Sequence, residues 1–331
     1  MTFMPTGGSK LHVDKHLTNI VQNLINTEAF IAPQVAPIVR VQKQTDIILS
    51  WPQDDWYRED DDKRSPGMEA NLVGYDVSSL TYHALNYALR GAVTVEDIAN
   101  ADPMLLRATR ETKAEFLGTK LMINWERRLA AKIFTSTGVG TSTLVASNFT
   151  DRTNSDPIGC IQARMDQVQD ARGFRPNHVL IGTRAWRDIS RNYNVINKAN
   201  KTGVTGGAKD ASIEQVQALL GVDKVLIGAQ KYNASQEGQD LTLTDIWGDN
   251  VLVYYAPMAP SLAKPSYMYS FRWMVPNVPD MRVENFPYDV RRKVHEIEIG
   301  YYQDEKILTK ELAGLLTNVT SSGSGGLRAS E

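Results

Sequence analysis

The stretch YREDDDKRSPGMEANLVGYDVSSLTYHALNYALRG, Tyr57 to Gly91, joins a densely charged run to a strand-like pattern. Seven of its first eight residues are charged. From Tyr75 onward apolar and polar residues alternate, and the phase shifts at the Ser78-Ser79 doublet and again before Leu85. Such shifts are typical of a long strand that is bulged or strongly twisted.

A second apolar run, DIILSW from Asp46 to Trp51, precedes the charged stretch and also has the pattern of a strand. Together the two strands predict a long hairpin with the charged run at its tip. Because a strand rises about 3.3 Å per residue, an arm of about fifteen residues would reach roughly 50 Å. Single-domain enzymes seldom need such an arm, so we expect the tip to contact something outside its own domain.

Length and composition are those of an ordinary globular protein. The chain has 331 residues, of which 42% are apolar and 22% charged, and its net charge is −2. This balance excludes a global basic field for binding nucleic acid or an acidic membrane. The single cysteine, Cys160, excludes an internal disulfide framework and suits a reducing compartment. With no signal-peptide pattern and no apolar run of about 18 residues, we expect synthesis in the cytoplasm and no membrane contact.

The first 45 residues predict an N-terminal arm. About a dozen residues have the pattern of a loose segment, and Asp14 can then cap a helix. The apolar face of that helix would consist of Leu17, Ile20, Val21, Leu24 and Ile25. Two prolines in AFIAPQVAPIVRV, Ala29 to Val41, predict an extended segment there rather than a helix.

A long helix is predicted from Asp102 to about Ser136, after a short helix that begins at Thr94. About 34 residues of helix correspond to roughly 50 Å. One face repeats apolar residues every four positions: Leu117, Leu121, Trp125, Leu129 and Ile133. The opposite face is basic and carries Arg107, Arg110, Lys113, Arg127, Arg128 and Lys132. We therefore expect a rod with one packed face and one basic face.

An α/β block follows the loop or hinge TSTGVGTST, Thr135 to Thr143. Its predicted order is helix Asp156 to Arg172, strand His178 to Gly182, helix from Thr183, polar loop Asn197 to Asp210, helix from Ser212, and strands Lys224 to Gly228 and Asn250 to Tyr255. Beyond Pro265, MRVENF and KVHEIEIGYY alternate at period two and predict strands. Short apolar strands between helices favour a small sheet covered by helices.

The sequence offers no pattern for catalysis, a cofactor or a metal. The five histidines lack ligand spacing, and His12 and His16 would share a helix face only if the helix began early. GVGTST and TGVTGG are similar to phosphate-binding loops but lack the Gly-Lys-Ser/Thr ending. The carboxylates of EDDDK, Glu59 to Lys63, do not have the alternate spacing of a calcium loop. We therefore predict no enzyme activity, no cofactor and no metal site.

The charged tip instead suggests a contact between copies of the chain. Its candidate residues are Arg58, Glu59, Asp60, Asp61, Asp62, Lys63 and Arg64. Basic groups that would receive it on a neighbour are Arg107, Arg110, Arg127 and Arg128 on the long helix, and Arg291, Arg292 and Lys293 in VRRK.

The order of these parts resembles the major capsid protein of tailed bacteriophages. The stretches that carry the resemblance are TEAFIAPQVAPIVRV (27–41), NHVLIGTRAWRDISRN (177–192), LLGVDKVLIGAQKYN (219–233), DIWGDNVLVYYAP (245–257) and VENFPYDVRRKVHEIEIGYYQDEKILTKELAGLLTNV (283–319). The resemblance covers roughly residues 27–319. It implies an α+β protein with the tailed-phage (Hong Kong 97-like) capsid fold, built from an N-terminal arm, an extended β-hairpin loop, a long spine helix, a peripheral β-sheet and an α/β axial domain.

The resemblance also implies a division of the chain. Residues 1–45 would be the N-terminal arm and 46–93 the extended hairpin loop. Residues 94–152 and 266–319 would form the peripheral domain with the spine helix, 153–265 the axial domain, and 320–331 a flexible tail.

The function that the resemblance implies is structural. Many copies would assemble into hexamers and pentamers of an icosahedral shell around double-stranded DNA, which they would contact nonspecifically. A scaffolding protein, a portal and possible decoration proteins are the further partners expected, in a virion capsid assembled in the bacterial cytoplasm. Two alternatives stay open: an encapsulin-type shell that packages cargo enzymes, and a soluble α/β enzyme that uses the hairpin as a dimerisation arm.

Some relatives in the resembled family join neighbouring subunits through a lysine–asparagine isopeptide bond. Lys63 is the one lysine near the tip, and its aspartate neighbours favour its charged, non-nucleophilic form. We therefore expect no cross-link in this protein.

Overall fold

The structure is a computed structural model that describes residues 12–13, 17–18, 21, 30–50, 58–60, 62–74, 78–100, 103–135, 137–144, 149–201, 210–261, 264–275, 280–317 and 319–320. These ranges contain two larger sheets, two two-stranded ribbons and one long helix. None of the helices in them has the length and apolar content that crossing a membrane requires.

Fifteen strands are described in these ranges. They are β1 (His12–Val13), β2 (Ile38–Val41), β3 (Thr45–Ser50), β4 (Ser78–His83), β5 (Leu85–Thr94), β6 (Thr141–Leu144), β7 (His178–Gly182), β8 (Lys224–Gly228), β9 (Lys231–Asn233), β10 (Leu243–Asp245), β11 (Val251–Tyr254), β12 (Met268–Trp273), β13 (Arg282–Asn285), β14 (Val294–Ile307) and β15 (Ala313–Thr317).

Seven α-helices with described bounds lie between them. They are α1 (Ala32–Val35), α2 (Val95–Asn100), α3 (Pro103–Ile133), α4 (Pro157–Arg172), α5 (Thr183–Ser190), α6 (Tyr193–Lys201) and α7 (Ile213–Leu220). Leu17, Thr18 and Val21 are also helical, and a short 3₁₀ turn occupies Lys310–Leu312.

The first sheet is organised around β14, the longest strand described. β5 runs antiparallel along one edge of it, with Thr94 opposite Val294 and Leu85 opposite Gln303. β12 and β13 lie one after the other along its other edge, and they pair in turn with β2 and β1. The two predicted strands MRVENF and KVHEIEIGYY are confirmed as β13 and β14.

The second sheet has the order β6-β15-β11-β7-β8. Along β7, Val179 and Ile181 face a core formed with α4, α5 and α7, whereas Leu180 faces the core under the long helix. All three side chains are fully buried. A strand that is covered on both faces has a continuous apolar sequence, as β7 does. The prediction of a small sheet covered by helices is therefore confirmed.

Helix α4 has the bounds predicted from the sequence. The side chain of Asp156 caps it by accepting the backbone N–H of Gly159, and Gly173 ends it in the left-handed region at φ 72°. Cys160 lies on this helix and is half-buried, and burial raises the pKa of its thiol. α7 likewise starts at the predicted Ser212, which forms a capping box with Gln215.

The long helix α3 begins at Pro103 as predicted and ends at Ile133, slightly earlier than expected. Every member of its predicted apolar face, from Leu117 to Ile133 at four-residue spacing, is at most 5% exposed. Leu17 and Val21 of the N-terminal helical segment pack against its first half. The other apolar residues predicted for that segment lie outside the described residues.

The prediction of an extended segment over Ala29 to Val41 is wrong in its first half. α1 forms there with Pro33 in its first turn, where the missing N–H of proline has no helical partner to lose. The second half is strand β2, as predicted.

The loop predicted over Thr135 to Thr143 is partly a strand. β6 begins at Thr141 and pairs in parallel with β15. A Cβ on Gly138 would lie 2.4 Å from the Ile133 carbonyl oxygen, and one on Gly140 would lie 2.6 Å from Cα of Glu311. Both glycines therefore permit a close approach of the backbone that a larger residue would prevent.

Two further expectations are corrected by the structure. The polar loop predicted from Asn197 is helical at its start, because Val195 and Ala199 form a buried i,i+4 pair on α6. His12 belongs to strand β1, so it does not share a helix face with His16, which lies outside the described residues. The ribbon of β9 and β10 had no counterpart in the sequence-based prediction.

The division into domains stays a prediction, but strand pairing crosses its proposed boundaries. β6 and β15 fall in the ranges assigned to the peripheral domain, yet both belong to the sheet that contains β7 and β8. The last 11 residues, 321–331, which contain most of the predicted flexible tail, lie outside the described residues.

Candidate intersubunit surfaces

The predicted hairpin is a two-stranded ribbon formed by β3 and β4. Thr45 lies opposite His83 and Ser50 opposite Ser78, so six residue pairs are in register. The second predicted phase shift falls at Ala84, where the chain leaves β3 and joins β14. The strand residues predicted from Tyr75 to Val77 and at Trp51 lie outside the described residues.

One face of the ribbon is anchored to the first sheet. Ile48 and Tyr82 are buried, and the Tyr82 ring stacks on Phe271 with ring centroids 5.0 Å apart. The Tyr82 hydroxyl donates to the Lys43 carbonyl oxygen at 3.1 Å. On the other face Ile47 is 59% exposed. The packing therefore fixes the base of the ribbon and leaves the opposite face open.

Residues 58–74, the tip segment, are irregular and exposed throughout the part that is described. Arg64 donates through Nε to the Met68 carbonyl oxygen at 2.6 Å, and Met68 N–H donates to the Ser65 carbonyl oxygen at 3.2 Å. The candidate residues Arg58, Glu59, Asp60, Asp62, Lys63 and Arg64 lie on this segment, and Asp61 lies outside the described residues.

The second half of the tip segment is apolar, which the sequence reasoning overlooked. Met68 is 65% exposed, Leu72 100% and Val73 60%. Three large apolar side chains are therefore exposed within six residues of this segment, directly after the charged run. These apolar residues are visible in the sequence MEANLVG (68–74), but the prediction for this segment rested on the charged run that precedes it.

The basic candidates on the long helix have different surroundings. Arg110 is exposed, and of Arg107 only the backbone is described, as part of α3. The Arg127 guanidinium lies 4.3 Å from the centroid of the Tyr232 ring. Arg128 is 25% exposed and donates to the Tyr301 hydroxyl at 3.0 Å and to Glu305 at 3.3 Å. Arg128 is therefore held inside its own chain.

Arg128 and Lys132 do not form an outward basic face as predicted. Both reach toward β14, where Lys132 Nζ donates to the Glu305 carbonyl oxygen at 2.6 Å. Glu305 is fully buried and also accepts from Gln303 at 2.9 Å. Gln303 in turn accepts from the buried Arg272. This network joins the long helix to the sheet. The hydrophobic periodicity of a single element does not predict such a network, because its members come from three elements.

The remaining basic candidates lie in the turn segment, residues 286–293 between β13 and β14. The backbone N–H groups of Arg291 and Arg292 donate to Oδ1 of Asp289 at 2.9 and 3.3 Å, which shapes the turn. Lys293 has a φ of 52°, the left-handed region that non-glycine residues seldom adopt. Both arginines and Lys293 are exposed, and Val290 is 74% exposed beside them.

A buried carboxylate joins three parts of the fold. Glu126 on the long helix accepts the backbone N–H groups of Ile31 and Ala32 through Oε1, at 2.6 and 3.3 Å. Its Oε2 accepts the indole N–H of Trp247 at 3.1 Å. Burial raises the pKa of Glu126 from 4.5 to about 7, although the three donors oppose that rise. No pattern in the sequence indicated this contact.

Within the described ranges, no group of three or more His, Cys, Asp or Glu residues is placed to hold a metal ion. The buried polar groups described above are bonded to one another or to the backbone. They connect elements of the fold and do not converge on an open site.

Comparison with known proteins identifies the fold. The chain is 26% identical over 288 residues to the major capsid protein of Burkholderia phage BcepMu, a match that covers 84% of this chain and 89% of the relative. No family model matches the sequence. Among solved structures, a phage-related protein from Bordetella bronchiseptica superposes with a TM-score of 0.70 at 17% identity, covering 94% of this chain and 98% of that one. The chain has the fold of phage capsid proteins.

A second superposition supports the phage capsid fold. The capsid of cyanophage P-SCSP1u matches with a TM-score of 0.59 at 14% identity, covering 97% of this chain and 93% of that one. The mixed α and β architecture predicted from the resemblance is thereby confirmed, and so is the expected likeness to phage capsid proteins. The finer assignment to a Hong Kong 97-like fold stays a prediction.

Proposed function

We propose that this protein is the major capsid protein of a phage and that its role is structural. The match to the BcepMu major capsid protein over most of both chains carries the proposal. The phage capsid fold over more than nine-tenths of the chain supports it. A protein in such a role buries surface between its copies and catalyses no reaction. A typical interface between two proteins buries about 1,600 Å² of accessible surface.

The finer proposal is an icosahedral shell of hexamers and pentamers around double-stranded DNA. Scaffolding, portal and possible decoration proteins would assist its assembly in the bacterial cytoplasm, and the finished shell would be part of the virion. Since the chain has a net charge of −2, contact with DNA would be local, nonspecific and sensitive to salt.

Electron microscopy of the purified protein tests this function. We expect shells, or rings of five and six subunits, when the chain is expressed alone or with the scaffolding protein of its phage. A monodisperse dimer that forms neither would contradict the proposal and favour the enzyme with a dimerisation arm. Shells that enclose a protein cargo instead of DNA in the native host would favour the encapsulin-type function.

A further inference from the structure

The long helix α3 carries four outward cations that differ from its other basic residues. The ion pairs described for this helix are those of Arg128 and Lys132, which turn inward to β14. Within the part of the chain that the structure describes, four further cations of α3 form no ion pair. These four, which we call the cationic stripe, are Arg110, Lys113, Lys120 and Arg127. Three of them are exposed and Lys113 is partly exposed.

The cationic stripe follows one side of the helix. Lys113, Lys120 and Arg127 are seven residues apart, and seven residues make almost two full helical turns, so the three positions share a face. Arg110 stands one turn before Lys113. At 1.5 Å per residue the stripe spans about 26 Å.

The acidic residues of α3 stand apart from the cationic stripe. Glu111 and Glu115 are neither three nor four residues from any of its members, so they do not pair with it along the helix. At about 100° per residue, both lie at least about 100° around the helix from every cation of the stripe. Glu126 is buried and bonded to α1 and Trp247. The stripe is therefore a line of positive charge without an acid in it.

Aromatic rings hold two of these cations without neutralising them. Lys120 Nζ lies 4.7 Å from the centroid of the Phe116 ring, and the Arg127 guanidinium lies 4.3 Å from that of the Tyr232 ring. A cation over a ring is attracted by the π electrons but keeps its full charge. Both side chains are thus positioned, and their charge is available to an anion outside the chain.

Basic groups in other parts of the fold are partly neutralised. On α5 and α6, Arg184 and Lys198 each hold an aspartate at 2.9 Å. In the turn segment, Arg292 holds Glu296 at 2.6 Å. Such pairs weaken the field that reaches an outside anion, whereas the charges of the cationic stripe add to one another.

We propose that the cationic stripe is the surface through which the subunit holds double-stranded DNA. A duplex presents a regular line of phosphates, and a straight row of cations matches such a line in any register. The contact is independent of base sequence, because lysine and arginine on phosphates position a protein without distinguishing bases. The inference rests on the proposed capsid function and adds which residues meet the packaged DNA.

A second protein fits this surface less well than DNA does. Interfaces between proteins have an apolar core from which charged residues are depleted. In the described part of α3 the exposed large apolar side chain is Phe116 alone, and Lys120 lies over its ring. The stripe therefore offers charge and almost no apolar area.

Binding of a short duplex to the unassembled full-length subunit tests the inference. Fluorescence anisotropy of a labelled duplex of about 20 base pairs gives the affinity as a function of salt. Four phosphate contacts predict a slope of about −3.6 for log K against log salt concentration. Lys120→Gln with Arg127→Gln should weaken binding at least tenfold at about 0.1 M salt and bring the slope to about −1.8.

Arg175→Gln with Arg187→Gln is the matched control, because it removes the same charge from exposed positions outside α3. It should change the affinity by less than about twofold and leave the slope unchanged. Equal losses in both variants would show a general electrostatic attraction and overturn the inference. Failed assembly of the Lys120→Gln, Arg127→Gln variant with unchanged duplex affinity would also overturn it, since the stripe would then contact protein. Circular dichroism checks that every variant folds.

The ribbon provides a control surface for a test in assembled particles. Successive residues of β12 point to opposite faces of the first sheet. Phe271 stacks on Tyr82 of the ribbon, whereas the Arg272 guanidinium lies 5.3 Å from the Trp125 ring centroid on α3. The ribbon and the long helix therefore cover opposite faces of this sheet.

Cross-linking in DNA-filled particles uses this difference. A photoreactive group attached at Lys120→Cys, in a chain with Cys160→Ser, should join the subunit to the packaged DNA on illumination. The same group at Thr81→Cys, an exposed position of the ribbon, should not. A cross-link from position 81 without one from position 120 would contradict the proposed contact.

The outcomes separate this inference from the proposed function. If wild type forms shells but the stripe variant binds the duplex like wild type and position 120 does not cross-link, the DNA contact is wrong and the capsid function stands. If wild type forms neither shells nor rings, the proposed function itself fails, whatever the affinity of the subunit for DNA. Loss of affinity confined to the stripe variant, together with a cross-link from position 120, establishes the contact.

Discussion

Glu126 illustrates how a single side chain can connect distant parts of this chain. It lies 95 residues from Ile31 and 121 from Trp247, yet its carboxylate accepts hydrogen bonds from both. Desolvation favours the protonated carboxyl, whereas three N–H donors favour the ionised form. Desolvation is the larger effect, so the pKa rises to about 7.

Glu126→Gln should change the dependence of stability on pH. Because the pKa in the folded chain is above its ordinary value, the stabilising contribution of this carboxyl is complete below pH 4.5 and is lost as pH rises through about 7. Wild-type stability relative to the glutamine variant should therefore fall by at most about 3 kcal/mol between pH 5 and pH 8. Denaturant unfolding of the unassembled subunit at both pH values measures this difference.

Glu115→Gln on the same helix is the control for this measurement, because that residue is exposed. Its stability difference from wild type should be nearly constant with pH. The same constancy for Glu126→Gln would contradict the interpretation of Glu126 as a desolvated carboxyl.

Individual elements could largely be predicted from the sequence where apolar residues recur with one period along the whole element. Apolar residues recur every four positions on α3 and alternate with polar residues along β14. Each pattern indicates an element buried on one face, so both elements were predicted. The ribbon was found as well, but its length was overestimated. β4 and β5 form one alternating run in the sequence, and only the pairing partners show that they belong to two sheets.

Tyr82→Ala should loosen the ribbon without unfolding the rest of the subunit. The change removes a buried ring that stacks on Phe271, a loss of about 3 kcal/mol for a fully buried aromatic side chain. Amide hydrogen exchange in β3 and β4 should become at least tenfold faster, while β7 and β11 stay protected. Thr81→Ala, at an exposed position of the same strand, should leave exchange unchanged. Equal protection in both variants would show that the sheet does not anchor the ribbon.

Glu305→Ala should weaken the joint between the long helix and β14. The variant leaves Arg128 and Lys132 without their buried carboxylate partner, which we expect to cost about 3 kcal/mol of unfolding free energy. Glu298→Ala on the same strand is the control and should cost less than about 1 kcal/mol. Thermal or denaturant unfolding of the subunit distinguishes them, and equal losses would argue against the network as a joint.

At the scale of the whole molecule, the register of the first sheet places the base of the ribbon and the turn segment at the two ends of β5. β5 begins at Leu85, next to the ribbon, and ends at Thr94, opposite Val294, the residue that follows the turn segment. The acidic run and the basic run were both visible in the sequence. The separation of the ribbon's base from the turn segment was not, because it depends on the register between β5 and β14.

Assembled particles should contain no covalent bond between subunits through Lys63. Boiled in detergent, they should migrate as a single band at 36.9 kDa, and Lys63→Arg particles should migrate identically. A ladder of multimers that disappears in the Lys63→Arg variant would contradict this prediction.

The sequence by itself determined the elements, most of their order and the likeness to phage capsid proteins. Hydrophobic periodicity and capping residues are local properties, so α4, α7 and β7 could be placed from their own residues. Only the tertiary structure decided that Arg128 turns inward to Glu305, that Glu126 holds α1, and that β6 and β15 join the second sheet. These contacts depend on which distant residues become neighbours, and no local pattern encodes that when the partners are more than ninety residues apart.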